Sequence, residues 1–403
     1  MKQNKNILVL TYWSYNDALI QTYTLPYLRI IKKIIGEESS IHLVTFNKSS
    51  ESNATGKENS QDLRFVHRLN FNYFPFGVTS VCYNLLVIFR LLYFCFSKKI
   101  TCIHAWCTPA GSLGFLLSKL TGIPLILDSF EPHAEAMVEN GTWSKGSLAY
   151  RILFFFEKLQ SGHASVIIAT TAGMKGYLKD KWKVEKEQFY VKPACIDYNS
   201  FSNDEGEREI LRTELKLNGK IVAVYAGKLG GIYLKKEIFE FISVASAFWK
   251  GNFTFLLLSD APSAEVTFLA KASGLPAHEI ICKYLPHAEV SRYIALADFA
   301  LNFVKPVPSK RYCTSIKDGE YWVAGLPVVI PEGISDDSGI IQTEHIGAVL
   351  TAFNDTAYGE AVKEIEFLLK QNNRRERIIK IQSVGKKYRN MSIAEEVYRT
   401  IYL

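Results

Sequence analysis

Thr314-Ser315-Ile316-Lys317-Asp318-Gly319-Glu320-Tyr321-Trp322-Val323-Ala324-Gly325-Leu326-Pro327-Val328-Val329-Ile330 holds a helix start, a helix stop and a strand in one short run. A hydroxyl at Thr314 or Ser315 can cap a helix by accepting from N–H groups that its first turn leaves unpaired. Gly325 can leave that helix in a left-handed conformation, and Pro327 forbids its continuation. Val328 to Ile330 reads as a buried strand, and another strand, ending at Val304, comes just before. The unit is therefore strand, loop, helix, strand. A helix N-terminus at the carboxyl end of a strand attracts anions, phosphate above all. Lys317 adds a full positive charge in the first turn, and Glu320, one turn on, can accept from a ribose diol. Spacing alone equally allows a helix whose Glu320 faces solvent.

The pattern Ser315-Ile316-Lys317-x-x-Glu320-Tyr321-x-x-x-Gly325-x-Pro327-Val328-Val329 resembles the donor-site signature of the family-4 glycosyltransferases, which are retaining enzymes of GT-B fold. The preceding Tyr284-Leu285-Pro286-His287-Ala288-Glu289-Val290 and Ala297-Asp298-Phe299-Ala300-Leu301 fit the same family. The resemblance implies an α/β chain of two doubly wound Rossmann-like domains facing a cleft, with a C-terminal helix crossing back to the first. It implies that Glu320 holds the ribose of a nucleotide diphosphate sugar, with Ser315, Ile316, Lys317 and Asp318 as further donor contacts. It also implies transfer of the sugar, with retention, to a saccharide or lipid-linked saccharide acceptor in bacterial surface polysaccharide or glycolipid synthesis. Three departures stand out. Tyr312 replaces a glutamate that the family commonly carries eight residues before the ribose-binding one. The glycine pair of the family's first loop is absent from Tyr12 to Asp17. Cys195 replaces the glycine in the exit from the first domain, Pro193-Ala194-Cys195-Ile196-Asp197.

At 403 residues the chain is long for one core, and two domains are expected. The strands near Ile7–Thr11, Ile41–Phe46, Leu63–His67, Thr101–Ala105, Pro124–Asp128, Ser165–Ala169 and Phe189–Lys192 alternate with helical segments, including one over Thr22–Ile35. A second alternation runs through Lys220–Gly227, Phe253–Leu258, Ile280–Tyr284, Phe299–Val304, Pro327–Ile330 and Ala348–Leu350. Such alternation marks a parallel sheet covered on both faces. The reading places an acceptor-binding domain at 1–200, a donor-binding domain at 201–385 and the returning helix at 386–403. Residues 47–62 read as a loop and Ser202–Glu207 as the linker.

A net charge of +7 suits an anionic nucleotide sugar or an anionic membrane surface, and is too small to argue for nucleic acid. Seven scattered cysteines with no Cys-x-x-Cys read as free thiols, and metal ligation has no pattern behind it. No Asp-x-Asp occurs. Neutralisation of the diphosphate then falls to a helix N-terminus and lysines, and no metal or other cofactor is expected. The apolar run after the first residues, Ile7–Leu10, is too short for a signal peptide, so the expected place is the cytoplasm.

Gly227-Lys228-Leu229-Gly230-Gly231 follows the first strand of the second alternation. Gly230 and Gly231 let backbone amides approach a diphosphate, and Lys228 can neutralise it where the family usually has Arg. Lys235 or Lys236 matches a further family lysine at longer spacing. In the first domain, Asp128, Glu131 and His133 follow an apolar strand and could polarise an acceptor hydroxyl. The alternative is a hydrogen-bonded loop in which His133 caps a helix. His104 reads as a core histidine. Tyr15, Asn16 and Asp17 are acceptor-binding candidates, with Tyr12 and Trp13 able to stack on sugar or to pack the loop. Residues 74–99 are almost wholly apolar around Arg90. They read either as a buried helix or as a helix lying on the inner face of a membrane with Lys98 and Lys99 near headgroups. Two rival functions share the fold, a nucleotide-sugar epimerase and a non-catalytic nucleotide-sugar binder. A dehydrogenase is disfavoured because no Gly-x-Gly-x-x-Gly follows the first strand.

Overall fold

Apolar runs rich in Ile, Val and Leu, punctuated by helices, fold into two all-parallel sheets in this computed structural model. It describes residues 4–17, 19–47, 65–75, 77–198, 204–371 and 373–403. Two units divide the chain: Met1–Pro193 with Ser392–Leu403, and Ala194–Met391.

The first unit runs β1 (Asn6–Leu10), α1 (Leu25–Ile35), β2 (Ser40–Asn47), β3 (Val66–Asn72), α2 (Val78–Ser97), β4 (Cys102–Trp106), α3 (Cys107–Thr121) and β5 (Leu125–Phe130). It continues with α4 (His133–Glu139), α5 (Leu148–His163), β6 (Val166–Ala169), α6 (Gly173–Trp182) and β7 (Phe189–Val191). Its seven strands lie in the order β3-β2-β1-β4-β5-β6-β7. The direction of winding reverses between β1 and β4, and in such sheets ligands bind outside the strand carboxyl ends at that reversal.

The second unit runs α7 (Glu205–Glu214), β8 (Ile221–Ala226), α8 (Lys236–Trp249), β9 (Phe253–Leu258), α9 (Ser263–Ala272), β10 (Ile280–Lys283), α10 (His287–Ile294) and β11 (Phe299–Leu301). Then come α11 (Ile316–Val323), β12 (Val328–Pro331), α12 (Asp337–Glu344), β13 (Gly347–Leu350), α13 (Asp355–Gln371) and α14 (Arg374–Arg389). The order is β10-β9-β8-β11-β12-β13, with the reversal between β8 and β11. The last helix, α15 (Met391–Tyr402), returns to the first unit from Ser392 onward, as the family resemblance implied.

Several boundaries differ from the sequence reading for local reasons. β11 stops at Leu301 rather than Val304, because the chain turns at Val304, whose N–H donates to Asn302 O at 3.1 Å. A wide π turn, Ile20–Thr24, precedes α1 where one α-helix was expected. β3 extends to Asn72, paired along β2. Most of the loop read at 47–62, and Ser202 and Asn203 of the linker, lie outside the described residues. Asp204 is not linker but the cap of α7, its Oδ1 accepting from Gly206 N at 2.9 Å. Helix α11 ends as predicted. Gly325 has φ +75°, its N–H bonds Trp322 O and Leu326 N–H bonds Tyr321 O, a Schellman closure. A Cβ there would also lie 2.9 Å from the Ile378 Cα.

Candidate functional site

The loop after β8 and the helix after β11 both leave the second sheet at its reversal, which brings Gly227 and Lys317 together. Gly227 has φ +129°, and a Cβ on it would stand 2.8 Å from the Lys317 Cε and Nζ. The ammonium therefore lies directly on the backbone of the glycine loop. It donates to Tyr225 Oη at 3.1 Å and sits 3.6 Å from the Tyr233 ring centroid and 4.2 Å from that of Tyr225. Burial pulls its pKa down to about 7, against the opposing charges of Glu320 and Asp318. Three residues on, Glu320 shares that helix face. Burial raises its carboxyl to about 7, with Lys317 opposing, and no described residue donates a hydrogen bond to it.

Lys228 is exposed, and its carbonyl accepts from Tyr225 Oη at 2.7 Å. Gly230 and Gly231 have φ +82° and +64°. A Cβ on Gly230 would lie 2.2 Å from the Lys235 Cε, so Lys235 crosses that glycine while its ammonium pairs with Glu265. Lys236, the other candidate for that role, pairs instead with Glu240 at 2.8 Å. Ser315 occupies the cap position of α11 and Ile316 its first turn, but no side chain caps the helix. Thr314 is engaged elsewhere, its Oγ1 accepting from Ala194 N at 2.9 Å. Asp318 is misassigned as a donor contact. It is fully buried, accepts from Asn302 Nδ2 at 2.7 Å and lies in a cluster with Asp337 and Arg389. Burial holds its carboxyl well above the usual range, Asp337 adding to this and Arg389 opposing. One residue beyond Lys317 turns the helix by about 100°, which points Asp318 inward. A cavity of about 920 Å³ beside Arg311, Glu332 and Tyr388 is lined by none of these residues.

In the first unit Asp128 is likewise no accessible base. Its Oδ1 lies 3.2 Å from Lys192 Nζ, and its Oδ2 accepts from Tyr398 Oη at 2.7 Å and faces His104 Nε2 at 3.1 Å. Aspartate, lysine and histidine side chains are all completely buried. The ammonium of Lys192 is ringed by Tyr27 at 3.9 Å, Tyr23 at 5.0 Å, and Trp106 and Tyr398 at 5.9 Å. His104 is a satisfied core histidine, with Tyr402 Oη at 2.6 Å on its other nitrogen.

Glu131 and His133 remain accessible, about a quarter exposed each, with Nδ1 and Oε1 at 3.4 Å. The helix that His133 opens is capped by Glu157, not by the histidine: Glu157 Oε1 accepts from Ala134 N at 2.8 Å. Burial raises the Glu157 carboxyl to about 8. Of the acceptor candidates, Asn16 is exposed. Asp17 Oδ1 accepts from Leu19 N at 2.9 Å, which starts the π turn, and Tyr15 lies 4.4 Å under the Arg68 guanidinium. Helix α2 is neither fully buried nor a span. Val87, Leu91 and Cys95 face inward while Leu85, Leu86, Phe89, Tyr93 and Phe96 are exposed, Tyr93 at 76%. Among the described residues no helix is long and apolar enough to cross a membrane.

No protein-family model and no curated protein sequence matches the chain. Solved structures do. HepE of Anabaena, in complex with UDP, superposes with a TM-score of 0.73 at 13% identity over 98% of this chain and 99% of that one. Sucrose-phosphate synthase of Thermosynechococcus elongatus gives 0.73 at 14% identity over 99% of both chains. WaaG, a glycosyltransferase involved in lipopolysaccharide biosynthesis, gives 0.71 at 13% identity over 98% and 99%. The chain has the GT-B fold, and glycosyltransferases are among its structural neighbours, as is a UDP-N-acetylglucosamine 2-epimerase.

Proposed function

We propose that the protein is a family-4-like glycosyltransferase taking a nucleotide diphosphate sugar on its second unit. The observation that carries this is the Lys317 ammonium resting on the Gly227 loop, with Glu320 on the same helix face and no described residue donating a hydrogen bond to its carboxylate. Glu320 accepts from the ribose diol. Lys317, the exposed Lys228, Gly230, Gly231 and the uncapped amides at Ser315 and Ile316 take the diphosphate, so that its departure needs no metal ion. Retention of configuration, and an acceptor in bacterial surface polysaccharide or glycolipid synthesis, follow from the family resemblance. Glu131 and His133 are the accessible pair for an acceptor hydroxyl. Thermal-shift titration against a panel of nucleotide sugars in EDTA tests the reading. At least one should raise the melting temperature, and Glu320→Ala should weaken its binding about 10- to 100-fold, as expected for one or two hydrogen bonds to a charged group. No stabilisation by any of them, or equal affinity in Glu320→Ala, defeats the assignment.

The acceptor side is proposed to work at a membrane surface, through the exposed face of α2. From Val78 to Lys99 there are three basic residues and no acidic one, which suits anionic headgroups beside an apolar face. The protein should float with liposomes rich in anionic lipid, and Phe89→Ser with Phe96→Ser should abolish flotation. Protein found only in the soluble fraction would count against membrane docking.

A further inference from the structure

A cavity of about 510 Å³ lies in the first unit, bounded by α2, α3, α4 and α5 near the end of β1. Its volume falls in the ~300–1,000 Å³ range of small-molecule sites. The walls are chiefly apolar, with Ile88 from α2, Leu113 and Leu116 from α3, Met137 from α4, and Leu153 and Phe156 from α5. Polar side chains also line it, among them Asn72, Asn84, Ser112, Thr142 and His133, the residue paired with Glu131. Ile152 lines the cavity and is also 38% exposed, so the cavity reaches the surface along α5. There α5 exposes Leu148 and Phe155 beside Arg151 and Lys158, as α2 exposes its own apolar face beside Arg90, Lys98 and Lys99. A chiefly apolar chamber with polar side chains on its walls and a basic, greasy surface around it fits a ligand with a hydrocarbon chain and an anionic or hydroxylated head.

We infer that this cavity is the acceptor site, and that it takes the hydrocarbon chain of an amphiphilic acceptor drawn from a bilayer, with its polar head beside His133. The inference rests on the transferase reading for the word acceptor, but not for the binding itself. Apolar surface is removed from water along most of a chain's length, and the polar side chains on the walls are left to the head group.

Fluorescence titration with cis-parinaric acid, below its micelle concentration, tests the site on the full chain. One molecule should bind per chain with a micromolar dissociation constant. Ala149→Trp, which fills the cavity from α5, should weaken binding at least tenfold, and Ser80→Trp should do the same from α2. Phe268→Ser, on the exposed side of α9 in the second unit, should change it less than twofold. Melting temperatures identify which filled variants are folded, and one folded variant suffices. Absence of saturable binding, unchanged binding in a folded filled variant, or loss in Phe268→Ser alone overturns the inference. Nucleotide titration of the same samples separates the two readings. Nucleotide binding without probe binding removes the chain site only. Probe binding without nucleotide binding keeps the chain site and removes the transferase reading.

Discussion

Lys317→Met is expected to weaken nucleoside diphosphate binding about 10- to 100-fold at pH 7, and to erase the fall in affinity that the unaltered protein shows above that pH. The size follows from a hydrogen bond to a charged partner, worth about 1.5–3 kcal/mol, with 1.4 kcal/mol for each factor of ten. The pH dependence follows from burial. Desolvation brings the Lys317 pKa down to about 7, although Glu320 and Asp318 oppose it. An arriving diphosphate favours the charged form, so above pH 7 binding must take up a proton, and the dissociation constant rises toward tenfold per pH unit. Glu320 sets the other limb. Burial raises its carboxyl to about 7, and below that pH it loses the carboxylate that a ribose diol would meet. Because the two groups interact, both limbs belong to the pair rather than to either residue alone. Glu320→Gln should flatten the acid limb and move the alkaline one to lower pH, because the carboxylate helps to keep Lys317 charged. Isothermal titration in buffers of different ionisation enthalpy reads the proton uptake directly. Affinity independent of pH between 7 and 9, or unchanged in Lys317→Met, would remove Lys317 from the donor site.

Helix α11 was legible because its information is local. Lys317 and Glu320 are three apart on one helix, and a stop at Gly325 and Pro327 is written in the residues themselves. The same periodicity, followed one step further, also turns Asp318 toward the interior, and the sequence reading did not carry it that far. The place of Lys235 was not legible, because only the folded turn lays its stem across Gly230. The cavity beside His133 was not legible at all, since four helices that are distant in sequence supply its walls. For α2, composition announced an apolar helix but could not say that one face would stay uncovered. Asp128 was misread for a related reason. An aspartate at a strand end looks the same whether its partner is a substrate or a lysine arriving later in the chain. Here both Lys192 and the Tyr398 hydroxyl of the returning helix arrive at it.

That burial makes Asp128→Asn a test of stability rather than of chemistry. Removing one member of a buried ion pair leaves the other charge uncompensated and costs about 3–5 kcal/mol. At roughly 2–4 °C per kcal/mol for a unit of this size, the melting temperature should fall by roughly 6–20 °C. Lys192 has no water to turn to: its side chain is completely buried among aromatic rings. Asp128→Asn combined with Lys192→Met should therefore recover much of the loss, because no orphaned charge remains. The pH profile carries a second signature. Burial pushes the Asp128 carboxyl up, but Lys192, His104 and Tyr398 outweigh it and hold the pKa down to about 2. An unfolded aspartate titrates near ~3.9. The stabilisation is thus complete above about pH 4 and disappears as pH falls through 2, so the gap between wild type and Asp128→Asn should narrow only below pH 4. If Asp128 were instead the acceptor's base, Asn would abolish turnover and leave the melting temperature where it was. A returning helix tied to the sheet through this carboxylate predicts the reverse, with the melting temperature falling and activity measured well below it largely kept.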